Sequence, residues 1–432
     1  MCEFFWAANR CPSLKSKTIS KMNTIKNILF TICSTALLSA CTTENVISDF
    51  PIKKGVVEHE AVPVAKSNNK KVYMHYMPWF EAKGDYSSDW GSHWTMTNKN
   101  PDELIDGTIP DIASHVHPLI GPYDSRDPDV INYHLLLMKY AGIDGLLINW
   151  YGTEGTNQDI DSLLQNSNAI IEELDDVGLN FSVVMEDRFA NEETPFDDIT
   201  ANIKYLSDNY YGRDEYIRID GKPLTMIFGP FQSGDVEWTQ ALGASPEDEH
   251  FIPLQNNTKI NTVADGDFAW PGSGDISDIE NYYKNADPNK ISVGGAFPGF
   301  KDFYVEGGYG EVIVGGWEYP LGASQMKSTL DLASNYGDKI DFLQLITWND
   351  FGEGTTIEPT VEYQFDFLVE VQKYTGVSYS VTELEMVYNW FNLKNDPRYL
   401  ANRSFRDKVD QIYFNLVSTR VSEATDLFTE LQ

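Results

Sequence analysis

The sequence has very little cysteine. Its four cysteines, Cys2, Cys11, Cys33 and Cys41, all lie within the first 41 residues. The rest of the chain therefore has no thiol for disulfides, thiolate metal sites or nucleophilic catalysis. Stability must come from a large hydrophobic core, and the roughly 360 residues of the remaining chain are enough to bury one.

Positive charge is also scarce. Lysine and arginine together number 32 against 65 aspartates and glutamates, which gives a net charge of −33. Binding to nucleic acid depends mainly on cationic contacts with phosphate, so nucleic acid is a poor candidate partner. Polyanionic substrates are disfavoured for the same reason, whereas a neutral glycan is not. Solubility alone is a sufficient reason for the acidity.

Motifs for metals and phosphates are missing. The chain has no HExxH sequence, and Asp265-Gly266-Asp267 lacks the twelve-residue ligand pattern of a calcium loop. His115 and His117 lie on one side of an extended segment, and a third ligand would make them a metal site. We interpret the pair as structural; a metal-dependent hydrolase is the alternative, which treatment with a chelator tests. No glycine-rich phosphate loop is present, so we predict no cofactor and no metal.

Long hydrophobic runs are absent, and the apolar segment at 28–38 is too short to span a membrane comfortably. Lys26 precedes it, and Leu38-Ser39-Ala40-Cys41 follows it. A basic start, a short apolar core and small residues before the cleavage point are typical of a secretory signal. The ending resembles a bacterial lipoprotein signal, which implies that Cys41 is lipidated and becomes the mature N-terminus. An alternative start at Met22 would make residues 1–21 an upstream extension.

From Val72 onward, short apolar runs alternate with stretches of helical spacing. This alternation predicts an α/β fold with a parallel sheet, and eight strands over about 280 residues fit a (β/α)8 TIM barrel. We predict four parts: a signal segment at 1–41, a flexible tether at 42–70, a catalytic barrel at 71–376 and a C-terminal helical appendage at 377–432. The predicted strands are 72–79, 145–150, 181–185, 224–228, 251–254, 268–270, 291–297 and 342–346.

The stretch 341–359 carries the strongest chemical signal. Its apolar beginning predicts the last buried strand, and Trp348, Asn349, Asp350 and Glu353 follow at once. Two neighbouring carboxylates in different environments can divide the work of acid and base, one holding a proton and the other remaining charged. The alternative is a polar loop whose acids are merely solvated or paired.

Most of the predicted strands also end in aromatic residues. A barrel keeps its chemistry at the carboxyl ends of its strands, and aromatic rings beside polar groups suit the mixed surface of a sugar. Any one of these rings could instead pack in the core. The pattern as a whole predicts a carbohydrate cleft, with strand exits at Tyr76, Trp79, Trp150, Glu186, Asp187, Trp270, Trp317 and Trp348.

The sequence Trp-Asn-Asp-Phe-Gly-Glu-Gly-Thr-Thr-Ile-Glu-Pro at 348–359 resembles the motif that ends the last barrel strand in glycoside hydrolase families 71 and 99. Family 99 has Trp-Asn-Glu-aromatic-x-Glu-Gly-Thr followed by Ile-Glu-Pro, and family 71 has Trp-Asn-Asp-Tyr-Gly-Glu. Asp350 and Glu353 match the acids of family 71, whereas Ile357-Glu358-Pro359 matches family 99. The likeness continues through 73–80 and 90–96, and it covers most of 72–376.

The resemblance implies a barrel that hydrolyses α-linked neutral glycans. It implies Glu353 as the general acid and Asp350 as the base, which acts in one of two ways. Asp350 could activate water and invert the anomeric centre, as in family 71. It could instead deprotonate the sugar's 2-hydroxyl, as in family 99, which has Glu where this chain has Asp. We favour inversion slightly.

Residues that contact the substrate are predicted from the strand exits and from the resemblance together. The resemblance makes either Glu186 or Asp187 a ligand to the sugar beside the scissile bond, and it favours Tyr76 over its neighbour His75. The predicted set is Tyr76, Trp79, Trp94, Trp150, Glu186, Asp187, Trp270, Trp317, Trp348 and Asn349.

We therefore expect a glycoside hydrolase whose partners are an oligosaccharide or polysaccharide and, through Cys41, a membrane. We expect export to the bacterial envelope, on the periplasmic face or the cell surface. A catalytically inactive glycan-binding lipoprotein on the same barrel is the alternative, although the presence of both acids argues against it.

Overall fold

The computed structural model describes residues 55–191, 193–272, 274–310 and 316–431. The predicted signal segment, Cys41 and the first part of the predicted tether lie outside these ranges. None of the helices within them is both long and apolar enough to cross a membrane.

Within these ranges, eight parallel strands form one curled sheet in which neighbours along the chain are neighbours in space. The first strand, Lys71–Tyr76, pairs with both the second, Gly145–Trp150, and the eighth, Phe342–Leu345. The sheet continues from the second strand to the fifth on one side and from the eighth strand to the sixth on the other. A parallel bridge between Leu254 and Phe268 joins the two ends. The predicted TIM-barrel fold is confirmed, with β1 at Lys71–Tyr76, β2 at Gly145–Trp150, β3 at Asn180–Met185, β4 at Lys222–Ile227, β5 at His250–Pro253, β6 at Gly266–Phe268, β7 at Ile291–Ala296 and β8 at Phe342–Leu345.

In the part of the chain that the structure describes, seven helices alternate with these strands. The described chain has no helix between β5 and β6, where residues 254–265 form a loop. The barrel helices are α1 at Pro128–Tyr140, α2 at Ile160–Val177, α3 at Pro195–Asn209, α4 at Asp235–Leu242, α5 at Ser277–Lys284, α6 at Ala323–Asn335 and α7 at Asp366–Thr375. Sequence patterning did not identify α4, because only Trp238 and Ala241 of its eight residues are buried.

The helices begin and end where the local sequence favours it. Asp127 caps α1 by accepting a hydrogen bond from the Asp129 backbone N–H, and Pro128 occupies the first turn, where no backbone donor is needed. Gly178 ends α2 in the left-handed conformation, which glycine adopts without steric penalty. Every residue of β2 is buried, as expected for a parallel strand covered by helices on one face and by the barrel interior on the other.

Shorter elements decorate the loops of the barrel. The β1–α1 connection contains a one-turn helix at Ser92–Thr95 and a hairpin of strands Asn100–Ile105 and Ile109–Asp111. A short strand at Arg218–Ile219 pairs antiparallel with β4. The remaining turns are a 3-10 helix at Asp187–Phe189 and a π-helical turn at Val305–Tyr309.

The C-terminal helices are α8 at Val381–Lys394, α9 at Pro397–Ala401, α10 at Arg403–Val417 and α11 at Val421–Leu431. Their buried residues, such as Trp390 and Leu416, belong to the same hydrophobic core as the barrel. The helical conformation is interrupted between α10 and α11 at 418–420, where Thr419 has a φ of 58°.

The described end of the predicted tether is held against the rest of the protein. The backbone N–H of Val57 donates to Gln411 Oε1 at 2.7 Å, and that of Val62 donates to the Val417 carbonyl at 3.1 Å. Asn68 N donates to the Thr375 carbonyl at 3.0 Å. Residues 57–68 are thus hydrogen-bonded to α10 and to the end of α7. The polar composition of this segment did not predict such an attachment.

The orientation of β1 differs from our preference for Tyr76 over His75. His75 points into the barrel, with its ring nitrogens 3.4 Å from Gln344 Oε1 and 3.5 Å from Asn149 Oδ1. Tyr76 points outward, and its hydroxyl lies 2.9 Å from His134 Nδ1 on α1. Because successive side chains of a strand alternate between faces, only one of the two could face the interior. The choice of Tyr76 as a cleft residue was wrong.

Candidate active site

The segment that follows β8 forms a loop closed at its base. Thr347 N donates to the Thr355 carbonyl at 2.7 Å, while Ile357 N and Glu358 N donate to the Trp348 carbonyl at 3.0 and 2.8 Å. Residues 349–354, which we call the acid loop, therefore project as one unit from the carboxyl end of the strand. In a TIM barrel, this end carries the chemistry.

Asp350 and Glu353 are linked within the acid loop. Asp350 is buried, and its Oδ1 accepts a hydrogen bond from the Glu353 backbone N–H at 2.9 Å. The Asp350 backbone N–H donates to Thr347 Oγ1 at 2.8 Å, which fixes the start of the loop. Glu353 is half-buried, and its Oε1 accepts a hydrogen bond from the Tyr304 hydroxyl at 2.9 Å.

Both carboxyls hold protons more strongly than free acids do. Burial raises the pKa of Asp350 well above its usual range, and the charge of Glu353 adds to this, while the backbone N–H groups of Glu353 and Gly352 oppose it. Burial raises the pKa of Glu353 to about 7, against the lowering effects of the Tyr304 hydroxyl and of Arg188. The pair can therefore hold one proton near neutral pH, as acid/base catalysis requires.

A third carboxylate, that of Glu186, belongs to the same site. Its Oε1 accepts from Asn149 Nδ2 at 3.1 Å, and its Oε2 lies 2.7 Å from Arg188 Nε. The charge of Glu186 contributes to the raised pKa of both Asp350 and Glu353. Arg188 in turn packs over the ring of Phe231, 4.2 Å from its centre. This group can offer both hydrogen-bond acceptors and a positive charge to a polar ligand.

Asp187, the other acid predicted at this strand end, has a different role. It is 3% exposed, and it accepts hydrogen bonds from the backbone N–H groups of Phe231 at 2.6 Å, Gln232 at 3.1 Å and Ser233 at 3.2 Å. These bonds anchor the loop after β4. Asp187 is thus buried against this loop, whereas the charge of Glu186 acts on both Asp350 and Glu353.

Several predicted substrate contacts are covered by protein on all sides. Trp94 donates its indole N–H to the Tyr123 carbonyl at 2.9 Å, and Trp150 stacks on Tyr205. Asn349 uses its whole amide, accepting from Met77 N at 2.8 Å and donating to Met77 O and to the Tyr123 hydroxyl at 3.0 Å each. None of these side chains has a surface that a sugar could contact, so the structure contradicts their prediction as substrate contacts. The predicted contacts that are fully buried are Tyr76, Trp94, Trp150, Trp348 and Asn349.

Three predicted aromatic residues lie nearer the surface. Trp79 is half-buried, with one face stacked on the His93 ring at 4.2 Å and an interplanar angle of 6°. Trp317 is also half-buried and packs on Phe300 at 4.4 Å. Trp270 is 9% exposed and makes a T-shaped contact with His75, with the ring centres 5.1 Å apart. Of the predicted rings, Trp79 and Trp317 keep the most surface for a ligand, and their contact with substrate stays a prediction.

The two histidines considered as metal ligands point to different partners. His115 Nε2 lies 3.1 Å from the Asp302 carbonyl, and His117 Nδ1 lies 2.8 Å from Glu362 Oε1. Across the described ranges, no group of three or more His, Cys, Asp or Glu side chains is arranged to hold a metal ion. Neither histidine lies in the acid loop.

Sequence reasoning did not include Tyr304, Asn149 or Arg188 in the predicted site. All three lie at strand ends or in the loops that follow: Asn149 in β2, Arg188 after β3 and Tyr304 after β7. A search of the sequence for polar and aromatic side chains at every strand end and in the loop that follows would find all three. It does not rank them, because their partners are far away in sequence.

Gly354 shapes the end of the acid loop. Its φ is +68°, and a Cβ placed there would lie 2.6 Å from the Lys301 carbonyl oxygen. We expect Gly354→Ala to lower the free energy of unfolding by about 1–2 kcal/mol for the backbone conformation and by about 1–3 kcal/mol more for the clash. Denaturant unfolding measures the loss.

Gly107 is the matched control, because it has a φ of +73° and nothing within 4 Å of its added Cβ. Gly107→Ala should show only the smaller, conformational loss. Equal losses in the two variants would mean that the Lys301 contact is easily relieved.

Comparison with known proteins adds independent findings. Residues 67–257, which span β1 to β5, match the family model of glycosyl hydrolase family 99. A human glycoprotein endo-alpha-1,2-mannosidase-like protein is 30% identical over 170 residues, covering 37% of this chain and 33% of the human protein. The rat glycoprotein endo-alpha-1,2-mannosidase is 23% identical over 279 residues, covering 58% of each chain. The chain thus matches between a third and somewhat over half of the length of these relatives.

Among solved structures, the family 99 endo-alpha-mannosidase from Bacteroides thetaiotaomicron has a similar fold. It superimposes with a TM-score of 0.55 at 19% identity, covering 73% of this chain and 98% of the other. At this identity the likeness concerns the fold, and it extends well beyond the residues that match the family model.

Proposed function

We propose that this chain, a protein of the glycosyl hydrolase family 99 type, is a glycoside hydrolase that cleaves α-linked mannosides. Two of the relatives are named as endo-acting α-1,2-mannosidases or as similar to them, which makes an internal α-mannosidic bond the first substrate to test. The wider class is that of neutral α-linked glycans.

One observation carries the proposal: two carboxyls with raised pKa values, Asp350 and Glu353, share a single loop at the carboxyl end of β8. Hydrolysis of a glycosidic bond needs a protonated acid for the leaving oxygen and a charged base on the other side of the sugar. A buried pair that holds one proton supplies both at the same pH.

The hydrogen bonds suggest how the proton is divided. Two backbone N–H groups favour the charged form of Asp350, whereas Glu353 receives one tyrosine hydroxyl and is more accessible. The charge of Glu353 is one of the causes that raise the pKa of Asp350, and this cause is absent when Glu353 holds the proton. We therefore assign the proton to Glu353 as general acid and the charge to Asp350 as base. Asp350 would act either on water, giving inversion, or on the sugar's 2-hydroxyl, giving an anhydro-sugar and retention.

The test is release of reducing sugar from a panel of α-mannans, α-glucans and other neutral polysaccharides, with Glu353→Gln as the comparison. Release from α-mannan that the variant loses supports the proposal, and the anomer formed first distinguishes inversion from retention. Binding of a glycan by both proteins with release by neither would contradict it and favour a binding scaffold.

The raised pKa of Glu353 predicts how activity depends on pH. A general acid works only while protonated, so activity should fall about tenfold for each pH unit above about pH 7. Arg188 lowers the pKa of Glu353, so Arg188→Met should move this alkaline limb to higher pH. A pH profile of kcat measures the shift.

Arg213→Met is the control for a general change of charge, because Arg213, in the connection between α3 and β4, pairs with Glu172 on α2. Its alkaline limb should stay at the wild-type position. A limb that does not move in Arg188→Met would mean that Glu353 is not the acid whose titration limits activity.

We also propose that the protein is exported and anchored through a lipid on Cys41. The motif Leu38-Ser39-Ala40-Cys41 and its basic, apolar approach support this. Incorporation of labelled fatty acid by the full chain, lost in Cys41→Ser, is the expected result. Equal labelling of both proteins, or of neither, would contradict the anchor.

A further inference from the structure

Glu358, at the base of the acid loop, is a fully buried carboxyl that the proposed mechanism does not use. Its exposure is 0%. Its Oε2 accepts a hydrogen bond from the Tyr123 hydroxyl at 2.7 Å, and its Oε1 lies 3.3 Å from His134 Nε2. Burying a carboxyl in a barrel wall is unfavourable unless it is well paired, and an apolar residue of similar size would often be at least as stable.

These contacts continue to the acid loop. The Tyr123 hydroxyl accepts a hydrogen bond from Asn349 Nδ2 at 3.0 Å. The same nitrogen donates to the Met77 carbonyl at 3.0 Å, while Asn349 Oδ1 accepts from the Met77 N–H at 2.8 Å. Asn349 directly precedes Asp350, so the chain of bonds ends at the backbone of the proposed base.

The direction of donation along this chain is determined at the Glu358 end. The Tyr123 hydroxyl has a single proton, which it donates to Glu358 Oε2. The hydroxyl oxygen is then left as an acceptor, and it must receive the N–H of Asn349. The two bonds to Met77 require the same orientation of the Asn349 amide, so the three contacts support one another.

We propose that Glu358 is a positioning residue that acts through Tyr123 and Asn349 to hold the acid loop, and with it Asp350, in its working orientation. The proposal rests on the proposed function for its kinetic consequences. Its geometric content, a link between Glu358 and Asp350, does not depend on activity.

Two variants interrupt the link at different points. Tyr123→Phe removes the connecting hydroxyl and keeps the Glu358 carboxylate and the core volume. Glu358→Gln replaces a carboxylate oxygen by an amide NH2 group, which can donate to the Tyr123 hydroxyl and so reverse the direction of that hydrogen bond. Tyr140→Phe is the matched control, since the Tyr140 hydroxyl is also buried and donates to the Leu416 carbonyl at 2.9 Å, away from the acid loop.

For the kinetic readout, we expect Tyr123→Phe and Glu358→Gln to lower kcat about tenfold or more, with KM changed less than twofold, because misplacement of a catalytic group acts mainly on the chemical step. Tyr140→Phe should keep the wild-type kcat, even though its melting temperature falls by a similar amount. Equal kcat in all three variants would overturn the proposal, because Glu358 would then be structural only.

A second readout needs no turnover. Carbon-13 labelling of aspartate carboxyls, with the Asp350 signal identified by its loss in Asp350→Asn, follows the titration of Asp350 itself. We expect its midpoint to move by about one pH unit in Tyr123→Phe and in Glu358→Gln, and to stay in place in Tyr140→Phe. If the wild type releases no sugar, the proposed function fails and this titration decides alone: a shift supports the link, and an unmoved midpoint overturns it. Where Glu358→Gln does not fold, Tyr123→Phe carries both readouts.

Discussion

Glu353→Gln is expected to lower hydrolysis of α-mannan by about 10²–10⁴-fold, the range that a general acid typically contributes. The loss should depend on the leaving group. A sugar alkoxide needs a proton to depart, whereas a dinitrophenolate departs without one. With a dinitrophenyl α-mannoside, Glu353→Gln should therefore recover most of the wild-type rate. Glutamine keeps the size of the side chain and can still accept from the Tyr304 hydroxyl, so stability should change little.

Asp350→Asn is the matched comparison, because the two acids belong to one loop and differ in their proposed role. A base is needed whatever the leaving group, so this variant should lose a similar factor on both substrates. The ratio of kcat/KM values on the two substrates, measured for each variant, assigns the roles. Recovery by Asp350→Asn and not by Glu353→Gln would reverse the assignment.

The fold and the acid pair could be predicted from sequence because both depend on local patterns. Eight short apolar runs alternating with helical stretches define the barrel regardless of side-chain detail. Asp350 and Glu353 follow the last run directly, so their place at the carboxyl end of β8 required only the strand itself. Stretches with few buried residues, such as α4, escape this reasoning because their apolar periodicity is weak.

The identity of the sugar contacts could not be predicted in the same way. Trp79 and Trp94 have the same chemistry and both lie in the β1–α1 connection, yet Trp79 is half-buried and Trp94 is fully buried. The difference comes from loop packing between residues far apart in sequence, such as the bond from Trp94 to Tyr123. Tyr304 reaches Glu353 from another loop for the same reason.

Glu186 and Asp187 show this limit most sharply, since they are adjacent acids at one strand end. We expect Asp187→Ala to lower the free energy of unfolding by about 3 kcal/mol or more, because three buried backbone N–H groups would lose their acceptor and each such loss costs about 1–3 kcal/mol. For the folded variant, kcat/KM should remain within about tenfold of wild type. Chemical denaturation and kinetics measured well below the melting temperature test both parts.

Asp235→Ala is the control for this loss, because Asp235 also accepts from three backbone N–H groups, those of residues 261–263, but in an exposed setting. Water can replace Asp235 there, so its loss of stability should be much smaller than that of Asp187→Ala. Similar losses in the two variants would mean that water also reaches the loop after β4.

Glu186→Gln should give the opposite pattern. Glutamine can still accept from Asn149, so the expected loss of stability is only about 1 kcal/mol, whereas a charged acceptor for a sugar hydroxyl is worth about 1.5–3 kcal/mol, or about 10- to 100-fold in kcat/KM. Loss of stability in Asp187→Ala and loss of activity in Glu186→Gln would show that Asp187 anchors the loop after β4 and that Glu186 binds the sugar. Activity loss in Asp187→Ala together with unchanged kcat/KM in Glu186→Gln would mean that Asp187, not Glu186, contacts the sugar. The proposed orientation of the cleft relative to Glu353 would then be wrong as well.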